Sequence, residues 1–189
     1  MRIAVYPGSF DPLHIGHKAI LEYLTGEGSF DAVYLVVSPQ NPFKDPSKAL
    51  NARKRYEAAA EAVARHPDLR VKVDDIELGM DPPNYTIRTL DALKAREPGN
   101  TFTLVIGADN LEGLPRWRCV RRILTDYEIA VYPRPGYDSG MLLEALREFC
   151  RKRHIRCNVT LINAPQVDVS STRIRRALML GEDVSRWLM

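Results

Sequence analysis

Tyr6-Pro7-Gly8-Ser9-Phe10-Asp11-Pro12-Leu13-His14-Ile15-Gly16-His17 follows the first short apolar run of the chain, Ile3-Ala4-Val5-Tyr6. The run is β-like, breaks at Pro7-Gly8, passes through an Asp-Pro turn and enters a helical pattern near Gly16. A strand, a loop and a helix start in that order bring free backbone N–H groups and the positive end of a helix dipole to one point, which favours a bound phosphate. Gly8 and Gly16 let such a phosphate approach the backbone closely. His14 and His17 stand three apart, so a helix beginning here turns both imidazoles toward one anion, where they can donate hydrogen bonds or a proton. Taken singly, a Pro-Gly pair is an ordinary turn, and paired histidines are commoner on surfaces and at metals. Their combination at the end of a chain-opening strand is what points to phosphate.

Outward from this stretch, strands and helices alternate, which predicts an α/β fold with a mainly parallel sheet and helices on both faces. Ile20, Leu21 and Leu24 recur at helical spacing until Gly26-Glu27-Gly28. Ala32 to Val37 is a nearly continuous β-branched run, as expected of a strand buried on both faces. Ser38 to Ser47 carries three prolines and reads as a loop at that strand's carboxyl end, where open α/β sheets bind ligands; Lys44 lies in it. Tyr56, Ala59, Ala60, Val63 and Ala64 form the apolar stripe of the next helix, with Arg53, Lys54, Glu57 and Glu61 turned away. Further strands are expected over Leu69 to Ile76, Thr101 to Ile106, Glu128 to Tyr132 and Asn158 to Ile162. Helices are expected from Tyr85, around Leu142 to Cys150, and from the Ser170-Ser171-Thr172 segment.

The 189 residues, 45% of them hydrophobic, suit one domain spanning 1–189 with a substantial core. A net charge of +3 is compatible with anionic small molecules and makes no demand for nucleic acid. Cys119, Cys150 and Cys157 form neither an even disulfide set nor a Cys-x-x-Cys pair, which suggests reduced thiols in the cytoplasm and no zinc. No apolar stretch approaches the roughly 18 residues of a membrane span, and the first apolar run is too short for a signal peptide. A soluble cytoplasmic protein is therefore expected.

Other strand ends carry chemistry. Gly107-Ala108-Asp109-Asn110 places a glycine for close approach and an aspartate able to accept from a sugar hydroxyl or a base, with helix capping as the plainer alternative. Trp117, between Arg116 and Arg118, is either a core plug or a platform for a flat aromatic ligand. Ser170, Ser171 and Thr172 are either simple caps or, with Arg173 and Arg175 in the next turn, a second anion grip. Neither G-x-x-x-x-G-K-[ST] nor G-x-G-x-x-G is present, and no nucleophile elbow or cysteine–histidine pairing supplies a covalent carrier. These features favour a transferase over a hydrolase, a kinase-like enzyme or a nicotinamide dehydrogenase.

The block from Gly8 to His17 closely resembles the signature of the nucleotidylyltransferase superfamily. Asn84-Tyr85-Thr86 with Thr89-Leu90, Gly107-Ala108-Asp109-Asn110 with Trp117, Arg134-Pro135-Gly136, and Val169-Ser170-Ser171-Thr172 with Arg175 extend the resemblance to the bacterial nicotinate-nucleotide adenylyltransferases, from Tyr6 to Arg175. The resemblance implies a Rossmann-like nucleotidylyltransferase fold and transfer of an adenylyl group from ATP to nicotinate mononucleotide, by direct in-line attack. It implies that His14 and His17 are catalytic, and that Gly8, Ser9, Phe10, Gly16, Gly107, Asp109, Ser170, Ser171, Thr172 and Arg175 serve ATP. Lys44, Tyr85, Thr86, Trp117 and Arg134 would serve the acceptor. Mg²⁺ would be held mainly by the ATP phosphates, with no protein metal ligands; no nucleic acid or membrane partner is expected, and a homo-oligomer stays open. Two departures stand out. Pro7-Gly8 replaces the family's usual Gly-Gly, a trait shared with phosphopantetheine adenylyltransferases, and Phe43 stands where histidine is expected before Lys44. The phosphopantetheine enzyme and a non-catalytic nucleotide-binding module are the alternatives.

Overall fold

A computed structural model describes residues 1–39 and 52–189. Six strands, β1 (Arg2–Gly8), β2 (Ala32–Val37), β3 (Val71–Asp74), β4 (Thr101–Gly107), β5 (Glu128–Tyr132) and β6 (Val159–Leu161), form one sheet in the order β3-β2-β1-β4-β5-β6. Every pairing is parallel. The helices are α1 (Ile15–Thr25), α2 (Ala52–Ala64), α3 (Thr86–Arg96), α4 (Val120–Asp126), α5 (Ser139–Lys152) and α6 (Ser171–Met179). This is the Rossmann-like arrangement expected from the alternation. Strand order reverses between β1 and β4, so the loops leaving their carboxyl ends diverge and open a crevice there.

Side chains alternate across the strands and build two cores. Ile3, Val5, Leu104, Ile106, Ile129 and Val131 face one side, against Leu90 and Leu93 of α3, Ile123 and Leu124 of α4, and Leu143 and Leu146 of α5. Ala4, Tyr6, Leu35, Val37 and Val105 face the other, against Ile20, Leu21 and Leu24 of α1 and Ala59 and Ala62 of α2. Helix α6 closes a smaller cluster of Val169, Ile174, Ala177 and Val184. Among the described residues no helix is long and apolar enough to cross a membrane.

Three elements differ from the sequence reading. The strand expected over Leu69 to Ile76 is only Val71–Asp74, because Ile76–Gly79 winds into a 3-10 turn. The buried line of α2 is Ala52, Arg55, Ala59 and Ala62, with Ala64 exposed. Arg55 joins the inward-facing line, while Tyr56 and Val63 pack half-buried against the same core. On α5, Leu143 is buried and Ala145 exposed, because the larger side chain takes the core position.

Leu104, fully buried on central strand β4, tests the packing. Leu104→Ala should cost about 2–5 kcal/mol in urea unfolding, seen as a lower midpoint at unchanged slope; a loss well under 1 kcal/mol would mean the core can collapse around the missing side chain.

Candidate active site

Helix α1 starts with a reciprocal histidine cap. The His14 ring accepts from Gly16 N at Nδ1 (3.1 Å), and the His17 ring accepts from His14 N at Nδ1 (3.2 Å). The two rings lie nearly stacked, with centroids 3.7 Å apart. Burial lowers the His14 pKa from 6.5 to about 4, with the Arg134 charge adding to the effect. Burial, His14 and Arg134, in that order, hold His17 well below the ordinary histidine value. Both rings are therefore neutral at pH 7. Because each Nδ1 accepts a backbone N–H, each ring carries its proton on Nε2. The cap thus yields two fixed N–H donors, as well as satisfying the helix end.

The loop before this cap is bent to fit. Phe10 takes a φ of 44°, sparsely populated by bulky residues and held by the surrounding packing. Its ring is buried and stands edge-on to Tyr6 (5.4 Å) and His17 (5.1 Å). A Cβ on Gly8 would lie 2.8 Å from Phe10 Cζ, so the glycine makes room for the ring. The Phe10 side chain is therefore a packing partner of His17 and Tyr6.

Helix α6 completes the same corner from the far end of the chain. Ser170 caps it by accepting from Arg173 N (3.2 Å). Ser171 Oγ donates to the Pro12 carbonyl (3.2 Å), and Arg175 donates to the Asp11 carbonyl (2.6 Å) and to Thr172 Oγ1 (3.1 Å). A Cβ on Gly16 would meet Val169 at 3.1 Å, which shows how closely the segment before α6 approaches the start of α1. Ser171, Thr172 and Arg175 therefore border the loop that carries His14. Arg173 departs from the grip considered in the sequence: it pairs with Asp168 (3.5 Å) and lies over the Trp187 ring.

Across the switch point, Gly107 ends β4 and Asp109 sits in a 3-10 turn, Ala108–Asn110, without capping it. Arg134, just beyond β5, approaches Asp109 Oδ1 with Nε at 3.5 Å. That oxygen is buried and has no hydrogen-bond partner. A Cβ on Gly107 would collide with Asp109 and press on Arg134 and Tyr132, so only glycine admits this arrangement. Tyr132 and Tyr6 share a hydroxyl contact of 3.4 Å beneath the site; burial, then Tyr132, keeps the Tyr6 phenol well above its ordinary pKa.

The other residues expected to serve an acceptor sit at the start of α3 and beyond β4. Tyr85 precedes α3, Thr86 opens it, and Trp117 follows the 3-10 turn Leu114–Arg116; Tyr85 and Trp117 are both half-buried against the same core. Ser9 is exposed on the opening loop. Lys44 and Phe43 lie outside the described residues. The sequence reading missed Arg55, Glu77, Tyr6 and Tyr132. The signal for Arg55 was its place in line with Ala52, Ala59 and Ala62.

Two neutral donors, two adjoining helix starts and an acidic group across a Rossmann crevice define a nucleotidyltransferase, and the chain belongs to the cytidylyltransferase-like family, whose model matches residues 5–177. It is 37% identical to the probable nicotinate-nucleotide adenylyltransferase of Porphyromonas gingivalis, over 100% of this chain and 89% of that one. It is 35% identical to the namesake from Bacteroides fragilis, over 99% and 87%. Within the larger family, then, this chain belongs to the nicotinate-nucleotide adenylyltransferases. Among solved structures, a Plasmodium falciparum nicotinic acid mononucleotide adenylyltransferase complexed with NaAD superposes with a TM-score of 0.75 at 18% identity, covering 99% of this chain and 90% of that one; it speaks to the fold.

The histidine cap has a pH signature. Between about 4 and 6.5 the unfolded chain binds a proton that native His14 refuses, so its contribution to stability is fully present above 6.5 and is lost as pH falls toward 4. Urea midpoints of His14→Gln should fall less than those of the wild type across that window. NMR titration should find His14 neutral at pH 6; a pKa near 6.5 would overturn the buried, Nε2-protonated cap.

Proposed function

We propose that this protein transfers the adenylyl group of ATP to nicotinate mononucleotide, giving the deamido form of NAD and pyrophosphate. The observation that carries the reading is the pair of neutral Nε2–H donors beside two helix N-termini, where a triphosphate gains donors on several sides without any protein nucleophile. The family relationship supplies the acceptor.

In this reading the triphosphate lies over the starts of α1 and α6. His14 and His17 donate to its oxygens, and Ser170, Ser171, Thr172 and Arg175 hold its outer phosphates. Asp109 Oδ1, which meets the Arg134 charge but accepts no hydrogen bond, is matched to a hydroxyl donor of the nucleotide, and Gly107 lets that group come close. An acceptor phosphate oxygen attacks the α-phosphorus from one side while the bond to the β-phosphate oxygen breaks on the other. The leaving pyrophosphate takes the electron pair, and the donors around it bear the charge. Trp117 stacks on the pyridine ring, the backbone at Tyr85-Thr86 receives its carboxylate, and Arg134 and Lys44 balance phosphate charge. Among the described residues no cluster of three or more His, Cys, Asp or Glu side chains could hold a metal. In this reading Mg²⁺ enters as part of Mg-ATP, neutralising phosphate charge. The reaction is assigned to the cytoplasm, which the free cysteines suit.

The direct test is pyrophosphate release from Mg-ATP with nicotinate mononucleotide, nicotinamide mononucleotide and 4'-phosphopantetheine compared side by side. Preference for nicotinate mononucleotide is expected. Turnover with phosphopantetheine alone would reassign the acceptor, and none with any of them would leave a nucleotide-binding module. His17→Ala should lower kcat about 100- to 1000-fold in a folded protein, and near-normal turnover would remove His17 from catalysis. Trp117→Ala should raise the acceptor KM and leave the KM for ATP nearly unchanged; the reverse pattern would place the indole at the nucleotide.

A further inference from the structure

Ser38, the first residue past β2, is held from two directions. From α2, the guanidinium of Arg55 donates to the Ser38 carbonyl with both terminal nitrogens, each at 3.1 Å. The same group donates to the Ser9 carbonyl (2.5 Å) and the Pro39 carbonyl (3.3 Å). From the 3-10 turn after β3, the Glu77 carboxyl faces Ser38: burial pushes its pKa up, and Thr89 and then Ser38 draw it back. Glu77 Oε1 also accepts from Thr89 Oγ1 of α3 (2.7 Å), and the Glu77 carbonyl accepts from Asn84 Nδ2 (2.8 Å). Arg55 is only 8% exposed and Glu77 only 3%.

Both side chains are placed at a cost. A desolvated guanidinium and a desolvated carboxyl weaken a small protein unless their hydrogen bonds are well made. Alanines fill the rest of the α2 line, so packing alone did not require an arginine there. Ser9, Ser38 and Pro39 lie beyond the ends of β1 and β2, where carbonyls run out of ladder partners. The Arg55 fork supplies donors for all three. Asp11 is the acidic charge that acts on Arg55, and its carboxylate in turn lies 3.8 Å from Arg175.

The contacts run from one half-site to the other. Ser9 lies in the loop assigned to the nucleotide; Asn84 and Thr89 flank Tyr85-Thr86, assigned to the acceptor. We propose that Arg55 and Glu77 are positioning residues of adenylyl transfer: clamped on Ser38, they fix the separation between the nucleotide loop and the acceptor segment. The proposal rests on the reaction assigned above. In-line transfer requires the attacking oxygen to sit about 3–3.5 Å from phosphorus, and a 1 Å misplacement costs about 100-fold. Each substrate still meets its own contacts when the clamp is cut. The penalty therefore falls on kcat and not on either KM.

The test is steady-state kinetics of the full chain with Mg-ATP and nicotinate mononucleotide, normalised to folded protein by thermal melts, for Arg55→Met, Arg55→Lys, Glu77→Ala, Glu77→Gln and the Arg55→Met/Glu77→Ala double variant. Arg55→Met should lower kcat about 100-fold with both KM values little changed. Should Arg55→Met not fold, Arg55→Lys, which keeps the charge but not the fork, gives the same readout. Glu77→Gln, which retains polar partners for Thr89 and Ser38, should recover most of the kcat lost by Glu77→Ala. The double variant should lose no more than the worse single change, because both act through Ser38. Wild-type kcat in folded Arg55 variants, a loss confined to one KM, or additive losses would overturn the clamp alone. No turnover by the wild-type chain would overturn the assigned reaction and the clamp with it.

Discussion

The amide of Gly16 gives its proton to Nδ1 of His14, and the amide of His14 gives its proton to Nδ1 of His17. A serine or aspartate cap would serve the helix equally well. Imidazoles do something more, because filling one ring nitrogen settles where the proton sits on the other. The local need to terminate a helix and the chemical need for oriented donors are thus met by the same two contacts. Burial keeps the rings uncharged, and they do not repel each other at a centroid separation of 3.7 Å. Positive charge is supplied nearby by Arg134 and Arg175, whose carboxylate neighbours, Asp109 and Asp11, restrain them.

Most of the fold was readable because its strands advertise themselves. A parallel strand buried on both faces must be continuously apolar, so Ala32–Val37 and Glu128–Tyr132 came out with the bounds that the structure has. Strand β3 was overextended because it pairs on only one side, at the sheet edge, and its successor Ile76 keeps an apolar character inside a 3-10 turn. The stripe read for α2 lacked Arg55 for a different reason. Periodicity assigns charged residues to solvent, and Arg55 breaks that rule because its partners are backbone carbonyls with no signature in side-chain composition.

The site was legible to the extent that it is local. His14, His17, Gly8 and Gly16 lie in one short stretch that resembles a family signature, and Gly107 with Asp109 stands at an obvious strand end. Arg55, Glu77, Tyr6 and Tyr132 were not legible, because each acts through a contact made only in three dimensions. Glu77 looks like any surface acid in Asp75-Ile76-Glu77, yet it is 3% exposed and bonded to Thr89. Phe10 shows the opposite error of emphasis: it belongs to the motif, but its ring is buried against Tyr6 and His17.

The joint between the opening loop and α6 links residues 159 and 164 positions apart, through Ser171 to Pro12 and Arg175 to Asp11. All six strands precede α6 in the chain. Synthesis therefore supplies every strand of the sheet before the helix start that borders the His14 loop, while one of the cores still waits for Met189. A chain that ends before Ser170 would carry all six strands and the histidine pair, yet lack the Ser171 and Arg175 contacts to the Pro12 and Asp11 carbonyls. In such a chain the loop that carries His14 would lack its far-end anchor, so a late part of the sequence fixes an early one.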